Sequence, residues 1–175
     1  MKDLIIVVSS NLDEIKIQKR IEKEIKCDYF LIGTEGTTVA DAPKFDVVYK
    51  LAQVTENGKT SYKAKLTKGK TSLPGKKQVY RKYDINGIML EDVIDIDSIK
   101  TDNKYKKYKK MLIPIISHGK LKYKMPNIDQ VSDYFFQELG SLPQSLRSVV
   151  NKTDFPVKKG QDLKSLIKIV QINHK

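Results

Sequence analysis

A chain of 175 residues with a formal net charge of +12, 39% hydrophobic and 31% charged residues has the composition of a globular protein with a heavily solvated surface. It is long enough for one ordinary domain, or for a small domain with a fragment of another, but too short for a closed eight-fold β/α barrel of roughly 250 residues. No apolar run approaches the roughly 20 residues of a membrane span, and with one cysteine, Cys27, neither an intrachain disulfide nor a thiolate metal cluster can form, so a reducing cytoplasm is the natural compartment.

The chain opens on Leu4-Ile5-Ile6-Val7-Val8, with Asp3 beside it. This reads as a buried parallel strand and not as a leader. After Ser9-Ser10, Asn11 is placed to cap a helix, with Glu14 in capping-box position. The helix is expected to reach about Lys26, with Ile17, Ile21 and Ile25 forming one apolar stripe. Tyr29 to Ile32 is a second short strand, ending at Gly33-Thr34. One β-α-β unit is therefore visible, and a parallel pair with one helix leaves open edges and an uncovered face. It calls for the rest of a sheet.

From about residue 43 the texture changes to short strands separated by turn signals, the mark of a mainly antiparallel region. Val47 to Val54 and Ser61 to Leu66 flank Asn57-Gly58, a hairpin turn in which both residues tolerate positive φ. Gln78 to Tyr83 and Ile88 to Ile94 flank Asn86-Gly87, and Met111 to Ser117 and Lys120 to Tyr123 flank His118-Gly119. Asn127 and Gln130 then cap a helix with Ile128, Val131, Phe135, Leu139 and Leu142 on one face. Pro143 to Val149 holds a short helical turn, and Leu163, Leu166, Ile167 and Val170 mark a last amphipathic helix.

The fold class expected is α/β: the terminal β-α-β portion of an incomplete β/α barrel over 1–42, then a small α+β domain of short antiparallel strands and C-terminal helices over 43–175. The sharpest chemical signal is the pair of strand ends. Backbone amides of Ser9, Ser10 and Asn11 before a helix, with Gly33 and Thr34 after the neighbouring strand, read either as a phosphate cradle that needs no basic side chain or, more simply, as a helix cap and a turn. In β/α barrels such a cradle often lies in the loops after the seventh and eighth strands. The run Lys104-Tyr105-Lys106-Lys107-Tyr108-Lys109-Lys110 offers tyrosines for stacking on bases, yet its place between a turn and an apolar strand reads as a solvated connector. Cys27 reads as apolar filler, since no cationic cluster adjoins it. His118 and His174 read as surface residues.

Ser9-Ser10-Asn11-Leu12-Asp13-Glu14 resembles the Ser-Gly-Asp-Leu-Asp-Glu element of nicotinate phosphoribosyltransferases, and Ile32-Gly33-Thr34 resembles their Gly-Val-Gly-Thr element one helix later. The likeness continues in the same order through Asp41-Ala42-Pro43, Val48-Tyr49-Lys50-Leu51, Pro74 to Arg81, Leu142-Pro143 with Arg147, and Phe155-Pro156-Val157. It places the chain at the C-terminal end of that family, which forms nicotinate mononucleotide and pyrophosphate from nicotinate and phosphoribosyl pyrophosphate, coupled to ATP hydrolysis through a phosphohistidine, on a route into NAD. The resemblance implies that Ser9, Ser10, Asn11, Gly33 and Thr34 hold the 5′-phosphate of the ribosyl donor. Lys76, Lys77 and Arg81 are candidates for phosphate or subunit contacts, or a charged strand on the domain surface. Two departures narrow the cradle: Ser10-Asn11 stands where the family usually has Gly-Asp, and Leu31 where it usually has glycine.

The family's phosphorylated histidine and nicotinate-stacking residues have no counterpart here, so no catalytic residue and no metal ligand is assigned, and ATP and phosphoribosyl pyrophosphate are expected only as substrates of the complete enzyme. A partner chain carrying the N-terminal part, and an oligomer, are expected, with Met1 as natural start, gene split or truncation left open. Two other readings are a non-catalytic phosphometabolite-binding or subunit module, and a basic nucleic-acid-binding protein.

Overall fold

The computed structural model describes residues 4–39, 43–44, 47–150 and 153–172, which fall into two units, 1–48 with 148–152 and 49–147 with 153–175. Asp41, Ala42 and His174 lie outside the described residues.

The first unit holds β1 (Val7–Val8), α1 (Glu14–Glu22), β2 (Tyr29–Phe30) and α2 (Thr34–Thr38). β1 and β2 pair in parallel, Val7 opposite Tyr29 and Val8 opposite Phe30. Asp28 fixes this register: its carboxylate accepts from the Ile6 amide at 2.7 Å, while its own amide donates to the Ile6 carbonyl at 2.9 Å. The expected Asn11 cap is corrected. Ser10 and Asn11 have φ of 93° and 49°, so the chain turns before it can wind, and Asp13 becomes the N-cap by accepting from the Lys16 amide at 2.7 Å. α1 also stops at Glu22 instead of Lys26, with Glu24 left-handed at φ 52°. Leu12 is buried at 1% exposure, whereas Ile21 and Ile25, expected on a buried stripe, are exposed. α2, which was not expected, starts directly after Gly33.

The second unit begins with the hairpin β3 (Gln53–Glu56) and β4 (Lys59–Tyr62), turned by Asn57 and Gly58 at positive φ as their sequence demands. The centre is a long hairpin, β5 (Lys77–Tyr83) and β6 (Met89–Ile96), whose turn is tied by the Asp84 carboxylate accepting from the amides of Asn86 and Ile88. α3 (Ile99–Lys104), capped by Ser98, leads to β7 (Lys109–Lys110) along the free edge of β5. A small hairpin follows, β8 (Ile116–Ser117) and β9 (Lys120–Leu121), turned by His118 and Gly119. α4 (Ile128–Gly140) carries the expected capping box of Asn127 and Gln130. A 3-10 turn (Gln144–Leu146), β10 (Val157–Lys159) and α5 (Gln161–Ile172) complete the chain.

The main sheet runs β10-β6-β5-β7. Its β10 is parallel to β6, so this region is mixed and not purely antiparallel: the long connection from β6 to β10 is a crossover instead of a hairpin. α5 packs on β6 and buries Leu163, Leu166 and Val170, the apolar positions its sequence spacing marks.

One carboxylate ties this core together. Asp95, at 0% exposure, accepts from the Leu163 amide in the first turn of α5 at 2.7 Å, from the Ile96 amide at 3.0 Å and from the Tyr105 hydroxyl at 3.1 Å. It therefore caps α5 from a strand, satisfying an orphan amide with a charge suited to the helix dipole. Gly160 makes room for it, since a Cβ there would stand 2.0 Å from Asp95 Oδ2.

Candidate functional site

The parallel register sends both strand ends of the first unit the same way. The Leu31 amide donates to the Val8 carbonyl at 2.9 Å, so Ser9-Ser10-Asn11 and Ile32-Gly33-Thr34 leave adjacent strands at the same end. Ser9, Ser10, Asn11, Gly33 and Thr34 are all exposed. Two consecutive left-handed residues turn the first loop, and among the described residues the amides of Ser10 and Asn11 have no protein acceptor. Gly33 is the N-cap of α2, and a Cβ there would meet nothing within 4 Å. Open space at a glycine beside free amides suits a group brought in from outside.

Lys16, which sequence reasoning overlooked, braces the first loop. Its ammonium donates to the Asn11 carbonyl at 2.7 Å and pairs with Asp13 Oδ2 at 2.9 Å. That hydrogen bond holds the Asp13 carboxyl below its ordinary value. The spacing of Asp13 and Lys16 around a cap was the available signal.

The second unit places Lys76, Lys77 and Arg81 in separate roles. Lys76, 74% exposed at its side chain, pairs with Asp97 at 2.8 Å, a contact that raises its ammonium pKa. Lys77 turns inward and donates to the carbonyls of Leu73 at 2.9 Å, Pro74 at 3.4 Å and Gly75, and burial lowers its pKa. Gly75 itself is left-handed at φ 77°, in a turn closed by its amide on the Ala52 carbonyl at 2.8 Å. Arg81 forms a two-pronged pair with its cross-strand neighbour Asp92, at 2.8 and 2.9 Å, reaches Glu138 at 3.3 Å and lies over the Phe155 ring. The hydrogen bonds to Asp92 raise its pKa further. A guanidinium so engaged secures α4 and the Phe155 segment to the sheet.

The lysine-tyrosine run also resolves into structure. Tyr105 stacks on buried Tyr80 with centroids 4.6 Å apart, and Tyr108 meets Tyr105 edge-on at 5.2 Å. Their hydroxyls donate to Asp95 and Glu91, and that of Tyr80 to Asp102. These rings fill the core side of the run, so the stacking platform that base recognition needs is spent within the protein. Among the described residues no group of three or more His, Cys, Asp or Glu could hold a metal ion, and no helix is long and apolar enough to cross a membrane.

Residues 97–167 match the family described as nicotinate phosphoribosyltransferase C-terminal domain. A nicotinate phosphoribosyltransferase of Mycobacterium tuberculosis is 31% identical over 147 residues, covering 82% of this chain and 29% of its own length. That of Bacillus subtilis is 26% identical over 183 residues, covering 91% of this chain and 37% of its own. This chain is a relative of the C-terminal part of nicotinate phosphoribosyltransferases. The crystal structure of human nicotinic acid phosphoribosyltransferase shares its fold with a TM-score of 0.62 at 15% identity, covering 97% of this chain and 34% of that one. The chain thus spans about a third of the length of these relatives.

The kinship also gives meaning to other positions. Arg147, placed by resemblance beside Leu142-Pro143, donates to the carbonyls of Gly140 at 2.6 Å and Leu142 at 3.0 Å and closes the C-terminus of α4. Ser10, standing where these enzymes usually have glycine, occupies the left-handed conformation that glycine adopts without strain.

Proposed function

We propose that this chain is the C-terminal portion of a nicotinate phosphoribosyltransferase, forming the terminal β-α-β piece of its barrel and the small domain after it. In that role Ser9, Ser10, Asn11, Gly33 and Thr34 hold the 5′-phosphate of phosphoribosyl pyrophosphate. The remaining barrel, the phosphohistidine and the nicotinate pocket come from the N-terminal part, carried by a partner chain. The complete enzyme then makes nicotinate mononucleotide with hydrolysis of ATP, in the cytoplasm.

The observation that carries this reading is the parallel register of β1 and β2, which brings the two loops to one end with free amides at Ser10 and Asn11. A dianion there is stabilised by amide donors without a basic side chain. The exposure of Leu4, Ile5, Val7, Tyr29 and Leu31 fits strands that need neighbours on both sides.

The test has two arms. Inorganic phosphate or phosphoribosyl pyrophosphate at one hundred times its dissociation constant should stabilise the chain by about 2.7 kcal/mol. Gly33→Val should abolish that shift with the protein still folded, since a Cβ there touches nothing. Co-expressed with an N-terminal barrel polypeptide, the chain should restore nicotinate-dependent pyrophosphate release. No complex and no release would end the proposal; phosphate binding without release would leave a phosphometabolite-binding module in its place.

A further inference from the structure

Ser10 and Asn11 are left-handed in succession, with φ of 93° and 49°. Neither is glycine, so the pair carries backbone strain and persists only where its surroundings impose it. Two contacts do so. The next residue, Leu12, is buried at 1% exposure and anchors the chain where it enters α1. Among the described residues, Lys16 is then the one side chain bonded to the main chain of Ser9 to Leu12, its ammonium donating to the Asn11 carbonyl at 2.7 Å.

Lys16 is itself fixed in place. Helical side chains lean towards the N-terminus, so a lysine in the first turn of α1 reaches back over the cap. The Asp13 carboxylate takes the Lys16 amide on one oxygen at 2.7 Å and the ammonium on the other at 2.9 Å, and Arg20 Nη1 donates to the Lys16 carbonyl at 2.9 Å. Two of the three ammonium donors are thus committed within the protein, and the adjacent carboxylate offsets the positive charge that a dianion would feel. What Lys16 gives the loop is therefore direction, not attraction. A carbonyl oxygen turned towards an anion would repel it. With the Asn11 oxygen held on the ammonium, the groups left without a protein acceptor among the described residues are the amides of Ser10 and Asn11.

We propose that Lys16 is a positioning residue for the phosphate site: it locks the turn at Ser10 and Asn11 in the form that presents amides, and does not itself touch the phosphate. This rests on the reading of Ser9, Ser10, Asn11, Gly33 and Thr34 as that site.

Isothermal titration calorimetry of inorganic phosphate into the full chain, at low and at high salt, tests it. The wild type should bind with an affinity that changes little with salt. Lys16→Met and Lys16→Gln should each weaken binding about tenfold or more at both salt concentrations, the worth of one charge-assisted hydrogen bond that holds the competent loop. Lys16→Arg, which keeps donors for the Asn11 carbonyl and for Asp13, should stay within about threefold of wild type. Lys19→Met, which removes the same charge from an exposed position of the same helix, should bind as wild type does. Far-UV circular dichroism checks the fold; should Lys16→Met or Lys16→Gln disturb it, the other decides. Unchanged binding in both overturns the inference while the phosphate site stands, as does an arginine no better than methionine, or an equal loss in Lys19→Met. A wild-type affinity that falls steeply with salt, with that dependence lost in Lys16→Met, makes Lys16 a direct phosphate ligand and overturns it too. A wild type that binds no phosphate removes the site itself, and the inference with it.

Discussion

Removing the Asp95 carboxylate should unfasten α5 from the sheet. Asp95→Ala leaves three donors without their acceptor, the amides of Leu163 and Ile96 and the Tyr105 hydroxyl. The Leu163 bond is buried and charge-assisted and counts for about 2 kcal/mol, and orphaning the other two adds about 1 kcal/mol each. The expected loss is about 4 kcal/mol, a large part of the 5–15 kcal/mol typical of a domain. Asp95→Asn keeps the shape and one carbonyl oxygen, so about 1–2 kcal/mol is expected. Gly160→Ala attacks the same contact from the other side: its methyl would lie 2.0 Å from an oxygen held by several bonds, at a cost of about 1–3 kcal/mol. The carboxylate is the nearest part of the clash, but Asp95 Cβ also stands 2.6 Å away, so that cost should be relieved only in part in Asp95→Ala, a coupling smaller than the cost itself. Urea unfolding followed by near-UV tyrosine circular dichroism is the assay, because Tyr80 and Tyr105 pack beside this contact and the chain has no tryptophan. An Asp95→Ala variant within 1 kcal/mol of wild type, or strict additivity with Gly160→Ala, would refute the account.

The tyrosine cluster predicts alkaline unfolding. Burial first, then carboxylate neighbours, raises the pKa of Tyr80 and Tyr105 above their ordinary value near 10. Their stabilising contribution is complete below that value and lost as pH climbs towards the folded one, so spectrophotometric titration should show late ionisation that coincides with unfolding; early, independent titration of all tyrosines would count against it. At the acid end Lys158 lowers the Glu91 pKa, so stability present above pH 4.5 should fall as pH drops through the depressed folded value, and Lys158→Met should flatten that slope. Ser10→Gly should stabilise the first unit by about 1 kcal/mol, read from its thermal midpoint, because φ of 93° strains serine. Amide hydrogen exchange should find Val8 and Leu31 far less protected than Val93 and Ile94, since only the latter lie in a covered sheet.

Much of the second unit was legible because its signals are local. Asn57-Gly58 and His118-Gly119 fold back where φ must be positive, Asn127 and Gln130 close their box, and the Leu163, Leu166 and Val170 spacing meets the sheet. Propensity misled at α2, whose Thr-Glu-Gly-Thr-Thr sequence is a poor helix former held by Thr37 and Thr38 hydroxyls on the carbonyls of Gly33 and Thr34. The start of α1 was misread because Asn11 and Asp13 are both good caps, and only the left-handed pair before them decides between the two. β10 was missed because three residues after a proline carry almost no pattern, and its parallel pairing with β6 is set by tertiary contact. Within the candidate site, strand polarity was enough to bring the two loops to one end. The commitment of Arg81 was hidden in register: once β5 and β6 pair, Asp92 stands opposite it.

Register also accounts for part of the positive charge. Both outer strands of the main sheet bear paired lysines, Lys109-Lys110 on β7 and Lys158-Lys159 on β10, the residue type that keeps a free strand edge from recruiting another chain. Charge placed this way says little about an anionic ligand. Beside the proposed cradle stands Lys16, whose ammonium is already engaged by Asn11 and Asp13. A phosphate seated there would be held mainly by amides, which release no condensed counterions of the kind that make lysine-based nucleic-acid binding steeply salt-dependent. The net charge and the candidate anion site are thus two independent features of this chain, and phosphate affinity should vary far less with salt than any association driven by its surface lysines.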